Sequence, residues 1–230
     1  MKVGLTWREI IGEVVGAILA VLAVTAASYL WRLPQAYSPQ AVLYVYIGSA
    51  ILLLAGAFVI FRMIVRHGYE QNRHLTPLPF FLQLLIWGVF FAFPCIYNPY
   101  DWAWSQSSIS QAIPSLMIIG WTCVGLGLLI VIGALLWLGL VRSTGQPVKK
   151  LEQAGPYCLT RNPQCMGGAL LIVGIILLWP SWYAFGWLVL FAAMVHMMVR
   201  TEEEHLQRIF GQEYERYCQR VPRYLGPLRK

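Results

Sequence analysis

A chain of 230 residues can hold one or two ordinary domains, but 58% of it is hydrophobic, 12% is charged, and its mean hydropathy is +0.60. Soluble domains carry about 25% charged residues, so an aqueous globular protein is excluded. The formal charge of +7 does not point to nucleic acid, because Lys and Arg stand mostly between apolar runs, as at the ends of membrane helices.

Six spans are expected. The first covers 14–30; it follows a short charged start, shows no small-x-small cleavage site before Tyr29, and reads as retained. Arg32, Pro34 and Pro39 break it. The second covers 42–64 and ends near Arg62 and Arg66. The third, 80–93, begins after Thr76, Pro77 and Pro79 and is short for a hydrocarbon core about 30 Å thick. Asp101 follows between Tyr100, Trp102 and Trp104, in the position of an interfacial aromatic belt. The fourth span, 113–141, is long enough to tilt.

Residues 166–179 and 182–199 are separated only by Pro180 and Ser181. Together they exceed one span, so a tight helical hairpin is expected, with a single kinked helix as the alternative. Six spans put every Lys and Arg except Arg32 on one side of the membrane. The positive-inside rule then makes that side cytoplasmic, with both termini on it. The expected fold is all-α: a polytopic membrane protein of about six transmembrane helices, with N-terminal helices over 1–145 and a second region over 146–230.

After Arg200 the chain becomes charged, and Leu206, Ile209, Phe210, Tyr214 and Tyr217 recur at helical spacing. This predicts an amphipathic helix over 201–220, ended by Pro222. Thr201 and Glu204 have the spacing of a capping box, but the segment also reads as a direct continuation of the last span. His205 is expected at the surface. Gly12, Gly16, Gly125, Gly127 and Gly133 lie in apolar helices, where close packing explains them. Cys95, Cys123, Cys158, Cys165 and Cys218 form no CxxC pair and no cluster with His, so no metal site is expected.

Two polar segments flank the hairpin. One runs Gly155-Pro156-Tyr157-Cys158-Leu159-Thr160-Arg161-Asn162-Pro163-Gln164-Cys165-Met166-Gly167. The other holds Glu202-Glu203-Glu204-His205-Leu206, Phe210-Gly211-Gln212-Glu213-Tyr214, Tyr217 and Val221-Pro222-Arg223-Tyr224-Leu225-Gly226-Pro227. A hairpin returns the chain to the side it left, so the two segments meet. Acidic side chains at a membrane exit are costly without partners, and Arg161 and Arg223 are the natural ones. Ion pairs that only clamp the tail remain a second reading.

In this order, Gly-Pro-Tyr, Arg-Asn-Pro, Gly167, an apolar hairpin, Glu202-Glu203 with Leu206, Phe210-Gly211, Glu213-Tyr214, Tyr217 and Val221-Pro222-Arg223 resemble the membrane methyltransferases that include isoprenylcysteine carboxyl methyltransferase and phospholipid N-methyltransferases. The likeness covers roughly 146–227. It implies S-adenosylmethionine as cofactor, bound at the cytoplasmic end of the last helices, and no GxGxxG fingerprint after a strand is present for a soluble-type site. By carry-over, Tyr157, Arg161, Asn162, Pro163 and Gly167 line the cofactor pocket, with Glu202 and Glu203 near its amino group or ribose. His196 is placed facing the cofactor, although a lone histidine near a helix end also suits a packing role. Relatives of the prenylcysteine enzyme usually carry His after the arginine, where this chain has Asn162, and an aromatic residue where Cys165 stands.

The resemblance implies methyl transfer to a lipophilic acceptor or lipid at the cytoplasmic face, in a bacterial inner membrane, without nucleic acid or an obligate protein partner. Arg223 could hold a carboxylate acceptor, with Tyr214 or Tyr217 orienting it; for an amine, Glu213 or Glu203 could take the proton. The competing readings are an NADPH-dependent reductase of similar architecture, drawing on Lys149 and Lys150, and a non-enzymatic transport or assembly protein.

Overall fold

The computed structural model describes Leu22, Thr25, Ala26, Leu30 and residues 38–72, 75–96, 113–138 and 150–227. The expected first span, the aromatic belt at Asp101, and Gly12, Gly16 and Lys149 lie outside these, apart from the four single residues. There is no strand among the described residues. They fall into two compact units, within Met1–Tyr100 and within Asp101–Lys230.

In the first unit Ser38 opens α1 (Pro39–Phe58). Its hydroxyl accepts the Ala41 N–H at 3.1 Å, and Pro39 follows at a position where a missing N–H costs nothing. The helix runs on through a π-helical segment, Val59–Val65, into α2 (Arg66–Asn72), 34 residues in all. α3 (Pro77–Ala92) ends in a 3-10 turn, Phe93–Ile96. Aromatic rings bind these pieces together: Tyr46 and Phe93 lie 4.8 Å apart, and Trp87 meets Phe61 at 6.3 Å and the edge of Phe90 at 5.5 Å. Such pairs add about 0.5–1.5 kcal/mol each beyond burial.

The second unit contains α4 (Pro114–Leu138), α5 (Pro163–Leu178), α6 (Trp182–Phe210) and α7 (Gln212–Arg220). α4 and α5 run antiparallel, with Gly120 against Gly174 and Gly127 against Gly167. A Cβ on Gly174 would stand 2.6 Å from the Gly120 carbonyl oxygen, and one on Gly127 would stand 2.6 Å from the Leu171 nitrogen. Contact that close between backbones suits a membrane, where helix association rests on van der Waals packing. Gly125 and Gly133 have no such neighbour, which corrects the expectation of close packing for those two.

The hairpin is present. Trp179 leaves the helical region (φ −131°, ψ 70°), Pro180 follows, and the extended Ser181 accepts the Ala184 N–H at 3.0 Å to start α6. The alternative of one kinked helix is thereby overturned. α6 then continues unbroken from its apolar part, 182–199, into the charged part, so Thr201 caps nothing; its buried hydroxyl donates to the Met197 carbonyl at 3.1 Å. The expected helix over 201–220 is instead two. Gly211, at φ +49°, breaks it, in a region of backbone space that favours glycine.

Nor does the tail helix lie alone at the interface. Tyr214 and Tyr217 of α7 are buried with Leu151 and Val221, with Leu206, Phe210 and Cys218 packed against them. His205, expected at the surface, is also buried.

Among the described residues, three helices are long and apolar enough to cross a membrane: Pro39–Asn72, Pro114–Leu138 and Trp182–Phe210. Pro77–Ala92 and Pro163–Leu178 are apolar but shorter than the roughly 20 residues a crossing takes. Of the six expected spans, the first lies outside the described residues; the other five each coincide with an apolar helix, three of them long enough to cross and two shorter. Among the described residues the only regular structure is helical, and the three long apolar helices are those of an integral membrane protein.

Candidate functional site

The site is built where the loop before α5 meets the tail after α7. Gly155 (φ +58°) turns the chain under the ring of Trp137, where any side chain would collide, and opens a 3-10 turn, Gly155–Cys158. Glu152 accepts from Trp137 Nε1 at 3.5 Å, which holds the loop to the end of α4. Within the turn, the Tyr157 carbonyl accepts the Tyr217 hydroxyl at 2.7 Å, a buried bond.

Residues 160–162 are stitched to the tail. The Arg161 N–H donates to the Pro222 carbonyl at 3.0 Å, and the Arg223 carbonyl accepts from Thr160 Oγ1 at 3.1 Å and from Asn162 Nδ2 at 3.0 Å. Asn162 precedes α5 without capping it, and Pro163, buried, forms its first turn.

Glu203 lies between two arginines, one from each segment. Its Oε1 is 2.8 Å from Arg161 Nη1 and accepts from Arg223 Nε at 3.0 Å, while Oε2 faces Arg223 Nη2. Arg161 Nη1 also points at the Tyr214 hydroxyl at 3.4 Å and the Cys218 sulfur at 2.7 Å. Glu203 and Arg161 are mostly enclosed, their side chains 14% and 12% exposed, whereas Arg223 is 36% exposed. A pair this enclosed is far less screened than one at the surface.

Glu202 is placed differently. It is half-buried, on the charged part of α6 beyond residue 199, and its strongest charged neighbour is the like charge of Glu203. Burial first, and Glu203 second, push its carboxyl up to about 7. Its charge in turn raises the Tyr157 phenol, which burial has already raised. Burial, then Arg208, pulls His205 down to about 4, so it is neutral at pH 7. Tyr214 and Tyr217 are raised mainly by burial and are protonated, hydrogen-bonding phenols.

The structure thus gathers Tyr157, Arg161, Asn162, Glu202, Glu203, Tyr214, Tyr217 and Arg223 into one cluster. Three expected site residues lie apart from it. Gly167 faces Gly127 and Val131 of α4; His196 is exposed on α6; Glu213 is exposed and accepts from Gln153 Nε2 at 3.2 Å. Thr160, Cys218 and Tyr224 belong to the cluster and were not singled out from sequence. Tyr224 and Thr160, adjoining Arg223 and Arg161 in the two polar segments, carried a usable signal; Cys218 carried none.

Among the described residues no group of three or more His, Cys, Asp or Glu is placed to hold a metal ion. Neither the curated proteins nor the solved structures contain a match to this chain. A family model does match: residues 115–213, from the start of α4 into α7, fit the model of the phospholipid methyltransferase family, and over that stretch the chain is similar to those membrane methyltransferases.

Proposed function

We propose that the protein transfers a methyl group from S-adenosylmethionine to a lipophilic acceptor, or to the head of a lipid, at the cytoplasmic face of the membrane. The observation that carries this reading is the division of labour between adjacent carboxylates. Glu203 is neutralised by Arg161 and Arg223, whereas Glu202 is desolvated beside a like charge, with no cation paired to it among the described residues. A cationic ligand relieves that arrangement, and S-adenosylmethionine is cationic at both its amino group and its sulfur. The residues present therefore fit the group.

When bound, the cofactor supplies a methyl on a positively charged sulfur, which leaves without help from an acid. The chain's part is to align and to exclude water. Glu202 holds positive charge. Tyr157, fixed through its carbonyl by Tyr217, walls the same side. The ion pairs of Glu203 keep the loop and tail closed on each other. Arg223, the more exposed arginine, is available to an acidic acceptor, and Glu202, with its raised carboxyl, to the proton of an amine. The charge distribution of the flanks supports the cytoplasmic side, with both termini on it.

Calorimetric titration of detergent-purified protein with S-adenosylmethionine, its demethylated product and NADPH tests the reading. Saturable binding of the first two, weakened at least tenfold in Glu202→Gln, is the expected result. Binding of NADPH alone, or of none, would overturn it.

A further inference from the structure

Tyr224 follows Arg223 in the irregular tail. Its hydroxyl is buried and makes no hydrogen bond among the described residues, and the same holds for the Nε–H of Arg161. Leaving a buried donor unpaired costs about 1–3 kcal/mol, so each such group calls for an explanation. The two belong to segments bonded together immediately beside them, through the Pro222 and Arg223 carbonyls. Arg161, Arg223, Glu203 and Cys165 are the charged and titratable neighbours of the phenol. Two arginines against the single carboxylate of Glu203 leave this corner one positive charge in excess. Spare donors together with spare positive charge are the complement of an anionic oxygen.

We infer that Tyr224 is a ligand-holding residue of the site, its hydroxyl and the Arg161 Nε–H receiving a carboxylate-type oxygen of a bound substrate. This rests on the methyltransferase reading and adds a specificity to it. Two sources share that chemistry: the amino-acid end of the cofactor and an acidic group on the acceptor. Burial raises the phenol, which keeps it a donor at neutral pH. Glu202 and Tyr224 then divide a zwitterionic ligand, cation to one and anion to the other.

The test is Tyr224→Phe in the full-length protein in detergent. Unliganded, the variant should melt at the same temperature as the parent or higher, since it loses a hydroxyl that has no partner among the described residues. A clear fall would assign the hydroxyl a structural bond and overturn the proposal. Ligand binding is then read by calorimetry with S-adenosylhomocysteine, 5′-methylthioadenosine, which lacks the amino-acid end, and dodecanoate against dodecanol. Roughly tenfold or greater weakening of S-adenosylhomocysteine, with methylthioadenosine unchanged, assigns the oxygen to the cofactor. The same weakening confined to dodecanoate, with dodecanol unchanged, assigns it to the acceptor. Unchanged binding of all four probes overturns the proposal while the methyltransferase reading stands. Failure of the parent protein to bind either nucleoside removes that reading and the proposal with it.

Discussion

Glu203 and Arg161, 42 positions apart in the chain, meet at 2.8 Å because the hairpin of α5 and α6 returns the chain to the level at which it entered. Arg223 completes the arrangement from the tail. Removing the carboxylate leaves Arg161 enclosed without its counter-charge, a change that costs about 3–5 kcal/mol where a pair is fully buried. Glu203→Gln should therefore lower the melting temperature in detergent by several degrees, and Arg223→Lys, at the more exposed partner, by less. Equal melting of Glu203→Gln and the parent would show that the pair does not hold loop to tail.

Glu202 sets a pH dependence whose sign follows from its raised carboxyl. Below about 4.5 it is protonated in the folded and the unfolded chain alike, and it contributes no difference between them. As pH climbs from about 4.5 to about 7, the unfolded chain ionises first, so the fold loses stability across that window. Glu203, Tyr157 and Cys165 are the titratable groups coupled to it. Melting curves of Glu202→Gln taken beside the parent from pH 4.5 to 7.5 should diverge in favour of the variant as pH rises. A constant gap would remove the raised carboxyl.

The same group links proton release to binding. A cation beside Glu202 favours its ionised form, so a site that is about half protonated near pH 7 should shed part of a proton when S-adenosylmethionine binds. Calorimetry at pH 7 in two buffers of different ionisation enthalpy reads this directly. The apparent enthalpies should differ in the parent and coincide in Glu202→Gln.

How much of this was legible in the sequence depends on which contacts are local. Pro180 and Ser181 announced the hairpin, and the hairpin announced that Arg161 and Arg223 would meet the acidic run. Which acid they would meet was not legible. Glu202, Glu203 and Glu204 point about 100° apart around a helix, and only the packed neighbours decide their environments. The break at Gly211 was hidden because Leu206, Phe210, Tyr214 and Tyr217 keep a helical spacing across it. Gly167 looked like part of the polar signature, but its partner Gly127 lies on another helix, and the register that pairs them is a tertiary fact.

That register gives a paired prediction on α4. Gly127→Ala would place a methyl 2.6 Å from the Leu171 nitrogen and 2.7 Å from the Gly167 carbonyl, both backbone atoms that cannot swing aside. The helices must separate, and the variant should melt lower. Gly125→Ala and Gly133→Ala meet nothing within 4 Å and exchange a poor helix former for the best, a gain of up to about 1 kcal/mol. Thermal unfolding of the three variants side by side distinguishes a packed crossing from a merely flexible helix.

The Tyr217 hydroxyl offers the most local test of how the site is held. It donates to the Tyr157 carbonyl at 2.7 Å, and both tyrosines are buried, so Tyr217→Phe strands an acceptor away from water. A loss of about 1–3 kcal/mol is expected. The damage should be concentrated in the turn Gly155–Cys158, since α7 keeps its apolar contacts to Leu151 and Val221. Hydrogen exchange should rise across 155–162 and change little in α4. If the reading of Tyr157 as a wall of the ligand site is sound, affinity for S-adenosylhomocysteine falls with it. Unchanged exchange in the loop would mean that the turn is held by its own geometry, above all by Gly155 beneath Trp137, and that Tyr217 serves the core alone.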